Sequence, residues 1–337
     1  MDDTKFPAFP ALVRAVSAPK TKPEYLDELH TFVDMFCGIG GFHQAAASFG
    51  MKCVFASDID EEARKTYAHN FGIVPVGDIS RIRAEDVPDH DLFCAGFPCQ
   101  PFSIIGKRQG FSDMRGTLFF EIIRILKVKR PKAVLLENVK QLKTADKGAI
   151  IARMTKELRD LDYCVDSKIL NALDYGLPQK RERVLIVATL APFDKFPWPK
   201  GDKPMKPLSE ILEKKPDGKF FVSDRIRKSR LATHKSEFKP SIWHENKSGN
   251  ISSYPYSCAL RAGASYNYLL VNGERRLTPR EMHRLQGFPD SFEIISTDSQ
   301  ARKQAGNAVP VPLVVAGIEG ILNAIRSSET SRRSKSA

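Results

Sequence analysis

Two hydrophobic rhythms alternate along the first half of the chain. Apolar, β-branched runs stand at 31–36, 53–57, 92–95, 133–137, 163–170 and 183–189, and amphipathic stretches at 41–49, 61–71, 119–129 and 148–161 separate most of them. Strand-length runs interleaved with helix-length patterns predict an α/β architecture, a parallel sheet with helices on both faces. Because crossovers between parallel strands are right-handed, the expected fold is a doubly wound, mostly parallel, Rossmann-like sheet.

The rhythm breaks near Leu190. Residues 191–219 hold Pro192, Pro197, Pro199, Pro204, Pro207 and Pro216 among many lysines, which reads as a linker into a second, smaller and irregular domain ending at 275. A helical pattern resumes at Thr278, an N-cap with Pro279 at the first helical position and Glu281 at the third. A last apolar helix is expected over 312–325. Residues 1–30 read as a loosely attached extension and the polar, basic tail 327–337 as disordered. The large domain is thus expected over 31–190 and 276–326, and the small one over 191–275.

A chain of 337 residues with 42% apolar content suits one large soluble domain plus a smaller one. The net charge of +12 is unevenly placed, since 200–275 carry 15 Lys and Arg against 8 Asp and Glu. Such a local field favours a polyanion such as nucleic acid; a solubilising surface is the plain alternative. The six cysteines are Cys37, Cys53, Cys94, Cys99, Cys164 and Cys258, with no C-x-x-C pair and no histidine cluster at zinc spacing. That argues against a disulfide framework or a metal site, and for a reduced, cytoplasmic compartment with one functional thiol. With no apolar run of about 18 residues and no secretory leader, no membrane segment is expected.

The first strand runs into Phe36-Cys37-Gly38-Ile39-Gly40-Gly41 and then a helix. Glycines at a strand–helix turn let a ligand approach the backbone, although a tight turn alone explains them equally well. Two acids add weight. Asp58 ends the next strand, where doubly wound folds set an acid against ribose hydroxyls. Asp78 ends a further strand-like segment, placed to accept from an adenine amino group. The turn lacks the G-x-G-x-x-G order of nicotinamide sites and the Lys-Ser/Thr pair of triphosphate sites, so an adenosyl group without phosphates is the better candidate.

Gly96-Phe97-Pro98-Cys99-Gln100-Pro101-Phe102-Ser103 follows the third strand, at the carboxyl edge where such sheets keep their chemistry. A buried inert thiol is the usual fate of a lone cysteine, but two prolines stiffen the turn that presents Cys99, which favours a reactive group. Glu137 ends another hydrophobic run, where burial would raise its pKa and let it donate a proton. Arg181 and Arg183 share a face of an extended segment, one suited to a carbonyl oxygen and the other to a carboxylate. For both, a phosphate contact or a surface ion pair is the alternative.

These motifs, FCGIGG, GFPCQPFS, RGTLFFEI, ENV, QKRERV, RLTPREMHRLQGFPDSF and AGNAVPVP, stand in the order seen in the C5-cytosine DNA methyltransferase family. The chain resembles its compact bacterial members of restriction–modification systems over 32–322, apart from the basic segment. The resemblance implies S-adenosyl-L-methionine as methyl donor, S-adenosyl-L-homocysteine as product, and no metal. It implies Cys99 as nucleophile toward cytosine C6, Glu137 as the group on N3, Arg183 on the base O2 and Arg181 supporting Glu137. Phe36, Gly38, Gly40, Gly41, Asp58, Ile59, Asp78, Ile79 and Leu118 would form the cofactor pocket, with Asn307, Ala308 and Val309 as its far wall. Where relatives often carry a stacking aromatic, this chain has Ile59, and Ile104-Ile105 replace a small polar residue of the loop that enters the DNA. The partner implied is double-stranded DNA, with the target cytosine flipped out. DNA contacts are expected from Ser103, Ile105, Lys107 and Arg115 in the loop after Cys99, and from His244, Asn246, Lys247 and Arg261 in the basic segment; Trp243 reads as core. A monomer suffices, and a restriction endonuclease is expected to act alongside without a stable complex. The rivals are a tRNA cytosine methyltransferase, disfavoured because no Cys-Phe-Thr occurs in the recognition region, an inactive DNA-binding regulator, and a nicotinamide dehydrogenase.

Overall fold

The computed structural model describes residues 29–98, 118–246 and 248–336. Cys99, Ser103, Ile105, Lys107, Arg115 and Lys247 therefore lie outside the described residues, as does the extension before Leu29. Leu29 itself is buried against the core.

The chain opens β1 (Thr31–Met35), α1 (Gly41–Ser48), β2 (Lys52–Ser57), α2 (Glu61–Phe71), β3 (Leu92–Gly96), α3 (Leu118–Lys129), β4 (Ala133–Val139), α4 (Ala149–Arg159), β5 (Cys164–Asn171), β6 (Gln179–Lys180) and β7 (Glu182–Thr189). Six of these strands form one sheet in the order β2-β1-β3-β4-β7-β5. All pairs are parallel except those of β7, which runs antiparallel to both β4 and β5. Near-continuous apolar strands are what a sheet covered on both faces requires. Along β1 Phe32 faces one buried cluster while Val33 and Met35 face the other. Helix α2 starts on Asp60, whose carboxylate accepts from Glu62 N and Ala63 N, and stops on Gly72 at φ 69°.

The reversal of β7 matters for the chemistry. Register pairs Val139 with Arg183, so the start of β7 lies beside the carboxyl end of β4. Arg181 and Arg183 thereby reach the edge that holds Glu137.

Beyond the large sheet come α5 (Leu208–Ile211), α6 (Asp224–Thr233), β8 (Ile242–Glu245), β9 (Ile251–Tyr254), β10 (Ser257–Cys258), β11 (Leu269–Val271), β12 (Arg275–Arg276), α7 (Pro279–Leu285), α8 (Asp298–Asn307) and α9 (Val311–Ser336). Where an irregular segment was expected, an antiparallel sheet stands in the order β12-β11-β8-β9. Its strands of two to four residues are too short to leave a period in the sequence. Trp243 is buried among them, its Nε1 donating to Ser241 Oγ. The small core also takes in Leu277, Met282, Leu285 and Ala305, so packing continues across the 275/276 boundary. Thr278 caps α7 in a full capping box with Glu281.

Two expectations need correction, and one helix was not foreseen. No strand precedes Asp78; a single bridge joins Ser57 to Val76, and Asp78 caps a short 3-10 turn over Ile79–Arg81. Helix α8, capped by Thr297, has a polar face that hid its period. The tail is not disordered up to Ser336, because α9 continues through it. Neither Gly nor Pro occurs after Gly320 to end the helix, and Thr330 Oγ1 bonds back to Arg326 O. An apolar window within Asp298–Thr330 has the length and hydropathy of a membrane span, but 78% of it is buried in this chain's own core.

Candidate active site

A cleft of about 880 Å³ opens at the carboxyl edge of the large sheet. One half is built on the glycine turn after β1. There Phe36, Gly38 and Gly40 have φ of 56°, 53° and 87°, a sharp reversal that exposes the turn's backbone. Gly38 N donates to Asp58 Oδ2 at 2.7 Å, and Asp60 N donates to Asp58 Oδ1 at 2.8 Å. One carboxylate thus props the turn while remaining on the cleft wall, and burial pushes its pKa up. Asp78 also faces the cleft, its Oδ1 accepting from the backbone and hydroxyl of Ser80, which hold its pKa down.

Phe36, Ile59, Ile79 and Leu118 supply apolar walls, and Asn307 and Ala308 close the far side. Ile59 is 77% exposed, a flat aliphatic face open to the cleft. Gly40, Gly41 and Val309 sit behind this surface rather than on it. A Cβ on Gly40 would lie 2.2 Å from the Phe71 ring, and one on Gly41 would lie 2.6 Å from Val309 Cγ1. Close packing on Phe71 and Val309 is reason enough for glycine at these two positions. The donor set fits an adenosyl group: two carboxylates for hydroxyl and amino donors, apolar faces for a base, and, among the described residues, no unpaired cation at the glycine turn for a phosphate. Lys303, the cation on the cofactor side, is paired with Asp60 at 2.7 Å.

The other half is chemical. Glu137, 9% exposed, stands two residues before the end of β4 with Arg183 Nε 2.8 Å from its Oε1. Burial pushes the Glu137 pKa up, while Arg183 and then Arg181 pull it down. A carboxyl poised this way holds a proton more readily than an exposed one. Asn138 Nδ2 donates to Phe97 O at 2.8 Å, pinning the approach to Cys99 onto β4. Pro98, the residue before Cys99, lines the cleft.

Arg181 departs from expectation. Its guanidinium makes no hydrogen bond to Glu137; it donates to the carbonyls of Leu260 (2.7 Å), Gly306 (3.0 Å) and Ala308 (2.9 Å). Arg183 makes the direct ion pair with Glu137 because the β7 register sets it beside the end of β4, and Arg181 acts on that carboxylate through its charge alone.

From the basic segment, Arg261 reaches the cleft, exposed and lying over the Tyr268 ring at 4.9 Å. His244 on β8 and Asn246 do not line it. His244 packs edge-on to Tyr268, and burial followed by Arg261 lowers its pKa. Asn246 Oδ1 accepts from Ser248 N and Asn250 N, which shapes the turn between β8 and β9. Sequence reasoning missed Asn138 and Gln179. Gln179 is fully buried, donating to Leu285 O and accepting from Leu260 N. Both stand inside motifs already singled out, ENV and QKRERV, where attention fell on the charged neighbours. Among the described residues no cluster of His, Cys, Asp and Glu could hold a metal ion.

Comparison with known proteins shows the family. Residues 30–323 match the model of the C-5 cytosine-specific DNA methylases. The chain is 53% identical to the type II methyltransferase M.NgoBI of Neisseria gonorrhoeae, over 86% of this chain and 92% of that one. It is 52% identical to M.HaeII of Haemophilus aegyptius, over 87% and 93%. In fold it is similar to the S. pombe Dnmt2 methyltransferase, with a TM-score of 0.67 and 24% identity over 87% of this chain and 98% of that one. The Entamoeba histolytica methyltransferase EhMeth gives 0.68 and 19% over 88% and 98%. The chain belongs to the C-5 cytosine-specific DNA methylases and is a DNA (cytosine-5-)-methyltransferase.

Proposed function

We propose that the protein methylates C5 of a cytosine within a specific duplex sequence through a transient bond between Cys99 and the base. Cytosine C5 is a poor nucleophile. In the proposed sequence the Cys99 thiolate adds to C6, an S–C6 bond forms, and Glu137 delivers a proton to N3. The resulting enamine is electron-rich at C5. When bound between the glycine turn and Asn307, S-adenosylmethionine supplies the electrophilic methyl group and leaves as S-adenosylhomocysteine. A base then takes the C5 proton as the S–C6 bond breaks and the thiolate leaves, and N3 returns its proton to Glu137, which restores the aromatic ring. Arg183 holds Glu137 and presents its remaining N–H groups to the base O2. The chemistry so written needs no metal ion.

The observation that carries this reading is Glu137, buried near a strand end, paired to Arg183 at 2.8 Å, and tied through Asn138 to the residues leading into Cys99. Inside a duplex C6 is out of reach, so the base is flipped out at a cost of about a few kcal/mol. The segment 191–275 offsets that cost with phosphate and base contacts, Arg261 being its representative in the cleft. Relatives named type II methyltransferases support a role in restriction–modification, protecting host DNA in the cytoplasm alongside an endonuclease that forms no stable complex. One chain carries every group the chemistry uses, which supports a monomer.

The test is a duplex with 5-fluorocytosine at the target position. The fluorine blocks loss of the C5 substituent, so wild-type protein should yield a denaturation-resistant adduct through Cys99. Cys99→Ser should bind DNA and form none. An active preparation that never forms the adduct overturns the covalent route.

A further inference from the structure

Arg181 is 2% exposed and has no carboxylate among its hydrogen-bond partners. A buried cation bonded only to carbonyls, with its Nε left without a partner among the described residues, is an expensive way to fill a core, since apolar side chains of similar volume do as well or better. The three carbonyls it joins belong to two separate parts of the molecule. Leu260 closes the basic segment's approach to the cleft, two residues after β10, whose ladder with β6 joins Cys258 to Lys180. Gly306 and Ala308 flank Asn307 in the far wall of the cofactor half. The two parts also touch directly: a Cβ on Gly306 would lie 2.4 Å from Ala262 N and 2.8 Å from Arg261 C. Gln179 reinforces the same seam through Leu260 N. Two residues beyond Arg181, Arg183 holds the carboxyl of Glu137.

We propose that Arg181 is a positioning residue that couples the DNA-recognition segment to the cofactor wall, so that binding of the recognised duplex and binding of the cofactor strengthen one another. This rests on the methyltransferase reading above. The planar guanidinium suits the task because it holds three acceptors in one fixed fork, whereas a lysine offers a single point charge on a flexible stem. Burial lowers its pKa to about 9, so the fork keeps its charge at neutral pH. When DNA draws the backbone around Leu260 and Arg261 into place, the same fork fixes Gly306 and Ala308. Thermodynamic reciprocity requires the effect to run both ways.

The experiment measures S-adenosylhomocysteine affinity by calorimetry for the full chain, alone and with a short duplex. The duplex carries the site found by mapping 5-methylcytosine in DNA exposed to the wild-type enzyme; a scrambled duplex serves as control. For wild type the specific duplex should tighten binding by about tenfold, within the usual span of coupling between sites. In Arg181→Lys that ratio should fall to within about twofold of unity, while Arg183→Lys should lose turnover and keep the ratio. If Arg181→Lys fails to fold by circular dichroism, Gly306→Ala disturbs the same seam from the other side and should also lose the ratio. An unchanged ratio in whichever of these variants folds, or no ratio in wild type, overturns the proposal. A wild-type protein that transfers no methyl group to DNA overturns the underlying reading instead, so the two failures are distinguishable.

Discussion

The carboxyl edge of the six-stranded sheet and the small sheet around Trp243 follow opposite rules. At the edge nearly every polar group is already committed inside the protein: Asp58 to Gly38, Glu137 to Arg183, Asn138 to Phe97. Such groups keep their geometry before any substrate arrives, which is how a site avoids reorganisation during reaction. The small sheet also has paired groups, Glu245 with Arg230 and Ser253 with His234, but more of its surroundings stay open to solvent. All four residues of β9 are only partly buried, and on α6 Arg225, Arg227 and Lys228 are exposed. Chemistry on one fixed ring needs a rigid frame. Reading a long, hydrated polyanion needs exposed cations and adjustable polar groups.

The comparison breaks most visibly if the two parts are exchanged between relatives. Replacing 191–274 by the corresponding segment of a relative with a different site should transfer sequence preference, a change in the ratio of methylation rates of about 10³ or more. Arg275 must stay, because it forms a buried bidentate pair with Glu281, which is fully inaccessible. Bisulfite sequencing of DNA from cells expressing the chimera reads the outcome. Preference that remains with the large sheet would refute the division of labour.

Glu137→Gln sharpens the chemical half. The amide keeps the shape but cannot deliver a proton, so turnover should drop about 10²- to 10⁴-fold with DNA affinity nearly unchanged. The sign of the pH dependence follows from the direction of the pKa shift. Burial raises Glu137, so the protonated donor is lost as pH rises through that raised value. The wild-type rate constant for methyl transfer should carry an alkaline decline that the Gln variant lacks, measured by single-turnover methylation across pH.

Asp58→Asn should act on the cofactor half alone. One of the two oxygens is replaced by an NH2 that cannot accept from Gly38 N or a ribose hydroxyl. Affinity for S-adenosylhomocysteine should fall about tenfold, or about 1.4 kcal/mol, with the sequence read in DNA unaltered. Calorimetry checks the first statement and methylation mapping the second.

How much of this was legible follows the same divide. Six strands and four helices were readable because a doubly covered parallel sheet imprints long apolar runs, as in Val134, Leu135 and Leu136. Glu137 was readable because a carboxylate closing a hydrophobic run is costly to bury without a task, and Asp58 only together with Asp78, since either acid alone reads as a cap or surface charge. The small sheet was not, since its strands are set by pairing between distant residues, such as Trp243 with Leu270, rather than by local period. Which of the two arginines makes the direct pair with Glu137 was hidden for a similar reason. Residues two apart on one extended segment look equivalent, and only the antiparallel register of β7 assigns one to Glu137 and the other to the seam at Leu260.

The smallest effect on turnover is expected at Asp34, which shows what the rigid frame costs. Its carboxylate on β1 is fully buried, and neither oxygen makes a hydrogen bond of ordinary geometry among the described residues. Burial, with Asp58 adding to it, raises its pKa well above the ordinary 3.8. The folded state therefore keeps the proton while the unfolded chain releases it above that value. Below the unfolded pKa the two states hold the same proton and no penalty exists. Between the unfolded and the raised folded pKa, stability falls with pH by at most about 1.4 kcal/mol per unit. Asp34→Asn removes the titration. At pH 5 wild type should be at least as stable as the variant, and by pH 8 the difference should shrink or reverse, read from urea unfolding midpoints. Parallel pH profiles for the two proteins would mean that Asp34 titrates as an exposed acid does, and that the sheet edge is less closed to water than its packing implies.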